Sequence, residues 1–272
     1  MAEERPQLHM SRINRIWRCG IQDEFIESGK RMAPGISLIV GTETHKTVEA
    51  NLNNKINTGE LLPVEQIQDL ASDGIKRAWD EQEIYIDPGA DKSVSDLKDD
   101  SIDMTVTLSA LHALNLAPII NPKAVERKWV IILPEELFAF DLAGTMDIEE
   151  IDGTIRDTKT TGKNSVDKDA ALVDDKLDMY GLAKQIIDNE HPPILHLDFL
   201  QRYTTPAGNK ISKIVTRSTI PTPERNRRTL ARVEKAQQVI KSGIYTPAPP
   251  DHWACSKKFC GFWSICKYWS GK

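Results

Sequence analysis

The hydrophobic period of this chain changes at Pro122, and that change limits the folds open to it. Before it, apolar residues recur at helical spacing. Ile13, Trp17 and Ile21 predict a helix over 11–27 with Ser11 as N-cap. Val64, Ile67, Ala71, Ile75 and Trp79 predict another over 63–82, with Pro63 in its first turn. ISLIV at 36–40 opens either a strand or a buried helical turn. The polar stretch 86–100 reads as a loop, and a third helix follows at 101–116. After Pro122 the period is two. Strands are predicted at 127–133, 137–149 and 153–160, then a helix at 169–189. A hairpin of 194–205 and 210–219 follows, then a basic helix at 222–242 and a tail rich in Cys and aromatic residues. Helices followed by a mostly antiparallel sheet with one helix crossing predict an α/β sandwich. It reads as one domain over 1–272: a helical part at 11–120, a sheet core at 125–220, and the basic helix and tail at 221–272.

With 272 residues, 40% hydrophobic and 28% charged, the chain is neither disordered nor collagen-like. Its longest apolar runs, such as WVIIL at 129–133, fall far short of the ~18–20 residues of a membrane span, so no membrane contact is expected. MAEERPQLHM carries no apolar h-region, so a cytoplasmic location without disulfides is expected. The net charge of −5 is unevenly spread: residues 201–272 hold 14 Lys+Arg against 3 Asp+Glu, and residues 1–200 hold 21 against 37. Such asymmetry suits either an anionic polymer lying beside a cluster of carboxylates or an uneven surface without a partner.

The segment LAGTMDIEEIDGTIRDTKTTG at 142–162 carries the most chemistry. Asp157 and Lys159 share one face of a predicted strand, and Asp147 lies on the strand before it. A two-residue Asp152-Gly153 turn pairs 147 with 158 and sets the two aspartates on opposite faces. A three-residue turn over 151–153, with left-handed Gly153, pairs 147 with 157. In the second case the acids face each other and need a cation between them, Mg²⁺ or Mn²⁺ for oxygen donors. A divalent ion with a lysine beside it suits phosphodiester hydrolysis. Arg225, Arg227, Arg228, Arg232 and Lys235 form either a row of phosphate contacts or a solvated helix face. The four cysteines, Cys19, Cys255, Cys260 and Cys266, suit a zinc ion or a [4Fe–4S] cluster equally. Six aromatics of the tail, Trp253, Phe259, Phe262, Trp263, Tyr268 and Trp269, either pack around that centre or stack on single-stranded bases.

G-x-x-D at 144–147, followed by I-x-D-x-K-T-T at 155–161, resembles the PD-(D/E)xK nuclease superfamily, and more narrowly its RecB-like exonuclease branch. GTETHKTVE at 41–49 is similar to the branch's upstream G-x-x-x-H-x-x-x-E motif. Tyr180 in DKLDMYGLAKQ matches its Q-x-x-x-Y motif, with Lys176 standing in the Gln position. One early cysteine and three late ones resemble the iron–sulfur members, AddB-type and CRISPR-associated or phage exonucleases. This chain has four residues between the first two tail cysteines where the family has two. The resemblance implies a restriction-endonuclease-like core. His45, Asp147 and Asp157 would be metal ligands, and Lys159, Glu49 and Tyr180 further catalytic residues. Lys176 and Tyr180 would contact DNA, and a [4Fe–4S] cluster on Cys19, Cys255, Cys260 and Cys266 would clasp the two chain ends. The implied activity is a DNA exonuclease acting at single-stranded ends in bacterial or phage recombination, repair or CRISPR-type processing, with protein partners from those systems. No G-x-x-x-x-G-K-[ST] motif is present, so a stand-alone nuclease is expected. The competing expectations are a non-catalytic DNA-binding scaffold and an endonuclease of the same superfamily.

Overall fold

The period change at Pro122 is the junction between a helical layer and a sheet. The computed structural model describes residues 5–269. Its elements are β1 (Gln7–His9), α1 (Met10–Arg18), α2 (Gly20–Glu27), α3 (Ile36–Thr58), α4 (Val64–Glu81), α5 (Val94–Asn115), β2 (Pro122–Ile131), β3 (Asp141–Glu150), β4 (Ile155–Thr161), α6 (Asp175–Asp188), β5 (Leu195–Thr204), β6 (Lys210–Thr219) and α7 (Pro223–Ser242). Among the described residues no helix is long and apolar enough to cross a membrane.

Three local expectations are corrected. The helix predicted over 11–27 is two helices, because Cys19 takes an extended backbone (φ −164°, ψ 102°). Its N-cap position is His9 rather than Ser11, and its buried face is Met10, Ile13 and Ile16, with Trp17 turned outward. The loop expected over 86–100 ends at Ser93, whose hydroxyl accepts the Asp96 N–H (3.1 Å) and starts α5 early.

The six-stranded sheet is mixed and mostly antiparallel. The strands run in the order β1-β3-β4-β5-β6, with β2 also on β3. Helices α1, α6 and α7 cover one face, over a core that includes Ile13, Trp129, Leu142, Met146, Leu177, Leu197 and Val233. Helices α3 and α5 cover the other, over Val48, Leu52, Ile148 and, nearby, Ile39, Leu108 and Leu200; α4 packs on these two helices.

β3 organises the site. β2 runs antiparallel along one of its edges. Its other edge is divided, with β1 pairing at Asp141–Ala143 and β4 at Ile148 and Glu149. On that edge, between the two, residues 144–147 have no strand beside them, so β3 and β4 splay apart there. The turn joining them is the three-residue form. Gly153 is left-handed (φ 87°), and its N–H donates to the Glu150 carbonyl (3.0 Å). The register Ile148↔Arg156 therefore sets Asp147 opposite Asp157.

A buried ion network locks α6 onto β3. The fully buried Lys184 of α6 donates to the fully buried Glu149 (2.7 Å) and also reaches Asp188 (2.9 Å) and Glu190 (2.6 Å). Glu149 further receives Lys123 (2.9 Å) and Arg127 (2.6 Å). Burial pushes the Glu149 carboxyl up, but hydrogen bonds from Lys123, Lys184 and Arg127 outweigh it and hold its pKa near about 2. Removing one partner of such a network strands the others, so Lys184→Met should cost about 3–5 kcal/mol in denaturant unfolding. Because the folded pKa of Glu149 lies below its unfolded value of about 4.3, this stabilisation is present above that value. The melting temperature should therefore fall as pH drops from about 4.5 towards about 2.

Candidate active site

The splay between β3 and β4 opens into a cleft of about 630 Å³. His45 and Glu49 of α3, Glu126 of β2, Asp147 of β3, Lys159 of β4, and Lys176 and Tyr180 of α6 line it. Each pair on a helix stands four residues apart, so both members share a face. Gly144 lets β2 approach: a Cβ there would lie 2.4 Å from the Trp129 ring.

Asp147 is at the centre. Its Oδ2 accepts the Thr158 N–H (3.1 Å), bridging the open edge of β4, and its Oδ1 accepts from the Tyr180 hydroxyl (3.3 Å) and Lys176 Nζ (3.0 Å). Burial and the carboxylates of Asp147 and Asp157 push the Tyr180 hydroxyl well above its ordinary pKa, so it stays a donor. His45 Nε2 lies 2.8 Å from the Thr158 carbonyl. A carbonyl only accepts, so this nitrogen carries the hydrogen. In the neutral ring Nδ1 then presents a lone pair to Asp147 Oδ2 at 3.4 Å, an arrangement that calls for a proton or metal cation between them.

Asp157 is fully buried and ion-paired to Lys159 and to Lys176 (2.7 Å), yet neither oxygen has a well-directed hydrogen bond. Burial pushes its carboxyl up, but the two ammonium groups outweigh burial and hold it below its ordinary value. Among the described residues, those that bring one ligand atom each within 4.8 Å of one another are His45, Glu126 and Asp147, a set compatible with a divalent metal. Asp157 belongs instead to the two lysines.

Glu126 has no counterpart in the sequence analysis. It lies opposite Asp147, between the pairs Val125↔Ile148 and Arg127↔Met146. Its backbone is left-handed (φ 50°), rare outside glycine. The alternation of both strands breaks here. Trp129, Ile131, Leu142 and Met146 pack beneath α1, α6 and α7, whereas Val125 and Ile148 pack beneath α3. Strict period two would keep all six on one face. The only sequence signal was an acid just before the strand predicted from 127.

The basic helix places its arginines differently from one another. Arg225 is buried and clamps Asp178, Thr219 and the Ala171 carbonyl. Arg228 holds Asp178 (2.5 Å), Arg232 holds Asp175 (3.2 Å), and Arg227 faces solvent beside Glu224. These contacts bolt α7 to α6 and to the turn before it.

Cys19, far from the others in sequence, lines one small cavity with Cys255, Cys260, Cys266, Phe262, Trp263, Tyr268 and Trp269. The Ala248 N–H donates to Cys19 Sγ and Gln22 Nε2 to Cys260 Sγ (both 3.4 Å). Trp253 (58% exposed) and Phe259 (50%) stand outside it, edge to face at 5.2 Å.

No protein-family model and no curated protein matches the chain. Among solved structures it is similar to an exonuclease candidate from Eubacterium rectale, with a TM-score of 0.52 and 11% identity over 92% of this chain and 86% of that one. It also aligns with SSO0001, at a TM-score of 0.34 and 11% identity over 92% and 94% of the two chains. The first likeness agrees with the expected α/β fold, a mostly antiparallel sheet flanked by helices.

Burial, then Asp147 and Glu49, push the Glu126 carboxyl up to about 7. The folded chain therefore keeps a proton on Glu126 that the unfolded chain loses near pH 4.3. Ionising it disfavours the folded state, so stability falls as pH rises from about 4.3 to about 7. Without added metal, Glu126→Gln should melt higher than wild type at pH 8 and close to it at pH 4, by scanning calorimetry.

Proposed function

We propose that this chain is a metal-dependent deoxyribonuclease of the PD-(D/E)xK, RecB-like type, an exonuclease acting at single-stranded DNA ends. The observation that carries this is the convergence of His45, Asp147 and Lys159 on one cleft where two strands part, with buried Asp157 ion-paired to two lysines that line it. The donors are imidazole and carboxylate, which suit Mg²⁺ or Mn²⁺. The His45 Nδ1 turned towards Asp147, with the Glu126 carboxyl close to both, fits such an ion, and buried Asp157 shares Lys176 with Asp147. His45, Asp147 and Asp157 would hold it, with Glu126 beside them.

A divalent ion bound there supplies Lewis acidity toward a phosphate oxygen and makes its water more acidic. The protein's own groups do the rest. The partly exposed Lys159 ammonium reaches the cleft and stabilises negative charge on the phosphoryl group. Tyr180 and the Thr158 N–H hold Asp147 in one orientation. Glu49, on the same face of α3 as His45, is available to take the proton of an attacking water. Lys176 and Tyr180 would meet the DNA backbone, with Arg227 and the outward rings of Trp253 and Phe259 as further contacts.

The four cysteines that line one small cavity are read as ligands of a [4Fe–4S] cluster, with zinc as the alternative. N–H donors to two of the sulfurs suit a buried, anionic cluster. Its role is a clasp between the first helices and the tail.

Labelled single- and double-stranded DNA digested with Mn²⁺ tests the activity. Wild type should shorten ends, and Asp157→Ala should lose about 100-fold or more, the scale of a lost electrostatic contact in a catalytic site. Equal activity in the variant would refute the assignment, and cutting of circular single strands would make the protein an endonuclease. Purified without oxygen, the chain should be brown with broad visible absorption. Stoichiometric zinc without iron would overturn the cluster, and Cys19→Ala should lower the melting temperature more than it changes the chemistry.

A further inference from the structure

Lys176 stands where a bridging cation would stand. Its Nζ is 3.0 Å from Asp147 Oδ1 and 2.7 Å from Asp157 Oδ1. Within the helix only the Tyr180 ring, 5.3 Å from Lys176 Nζ, and the charge of the capping Asp174 favour an ammonium there. Asp174 caps α6 by accepting the Leu177 N–H (2.9 Å), so Lys176 sits in the first turn, where the helix dipole opposes positive charge. The two acids hold it in place. The other oxygen of Asp147, Oδ2, faces His45 Nδ1 on the side where Glu126 completes a three-ligand set. Asp147 thus looks toward an ammonium with one oxygen and toward a set of metal donors with the other.

We propose that Lys176 is a built-in counter-cation that divides the site. A divalent ion is taken first by His45, Glu126 and Asp147. At saturating metal Asp157 becomes a ligand as well, and the Lys176 ammonium then leaves for the mouth of the cleft, where it is free to meet a phosphate. The side chain is 37% exposed, so this exit is open. The exchange replaces the single positive charge of the ammonium beside the acid pair with the two of a divalent ion. Lys176 is then a positioning residue that lowers metal affinity and couples full metal ligation to substrate. The proposal rests on the metal-dependent reading of the site.

Mn²⁺ binding to the full chain without DNA, by calorimetry and electron paramagnetic resonance, tests it. Lys176→Gln should bind Mn²⁺ about tenfold tighter or more, equivalent to about 1.4 kcal/mol. It should melt below wild type without metal, and saturating Mn²⁺ should close that gap. Unchanged or weaker affinity overturns the proposal. A second readout uses wild type alone: acylation of Lys176 by an amine-reactive ester, followed by mass spectrometry, should rise several-fold at saturating Mn²⁺. Unchanged or slower labelling overturns it too. A wild type that binds Mn²⁺ and cuts DNA but fails these tests removes this inference and leaves the nuclease assignment standing. A wild type that neither binds Mn²⁺ nor cuts DNA removes both.

Discussion

Like charges held close together at a parted sheet edge are the constraint on which this molecule is built. Asp147, Asp157 and Glu126 crowd the parted edge of β3, with Glu49 near them. Two carboxylates a few ångströms apart repel by several kcal/mol at the dielectric of a protein surface. Every neighbouring element answers that repulsion. β4 offers the Thr158 N–H and Lys159, α6 offers Lys176 and the Tyr180 hydroxyl, and α3 offers His45.

The same logic runs one layer deeper, where it serves stability instead of chemistry. Glu149 follows Asp147 by two residues and is met by Lys123, Arg127 and Lys184. Because Lys184 lies two turns beyond Lys176 on α6, that network sets the height of the helix relative to β3. Asp178, on the opposite side of α6, is held by Arg225 and Arg228 of α7. Three ion-paired layers therefore fix α6, and with it the lysine and tyrosine that face the acids.

The hairpin was legible because its turn chemistry and its period are local. Asp152-Gly153 marked the turn, and the three-residue alternative with left-handed Gly153 was among the expected forms. His45 and Glu49 were legible as a helical pair. Glu126 was not, because its direction depends on a backbone reversal at one residue that breaks the alternation on which strand reading relies. The arginines of α7 looked equivalent in sequence. Only the packing of α7 on α6 separated buried Arg225 from solvent-facing Arg227, since an ion pair depends on which acid the fold brings near.

By itself the sequence determined the order of helices and strands, the candidate acids and lysine of the hairpin, and the four thiols, because period, turn residues and side-chain chemistry are properties of short segments. Tertiary structure alone decided that the thiols meet in one cavity, that Glu126 joins the acids, and that Lys176 lies between two of them. The physical reason is that each of these depends on distances between segments far apart in the chain, set by how β1 and β4 share one edge of β3 and by how α6 is held across it.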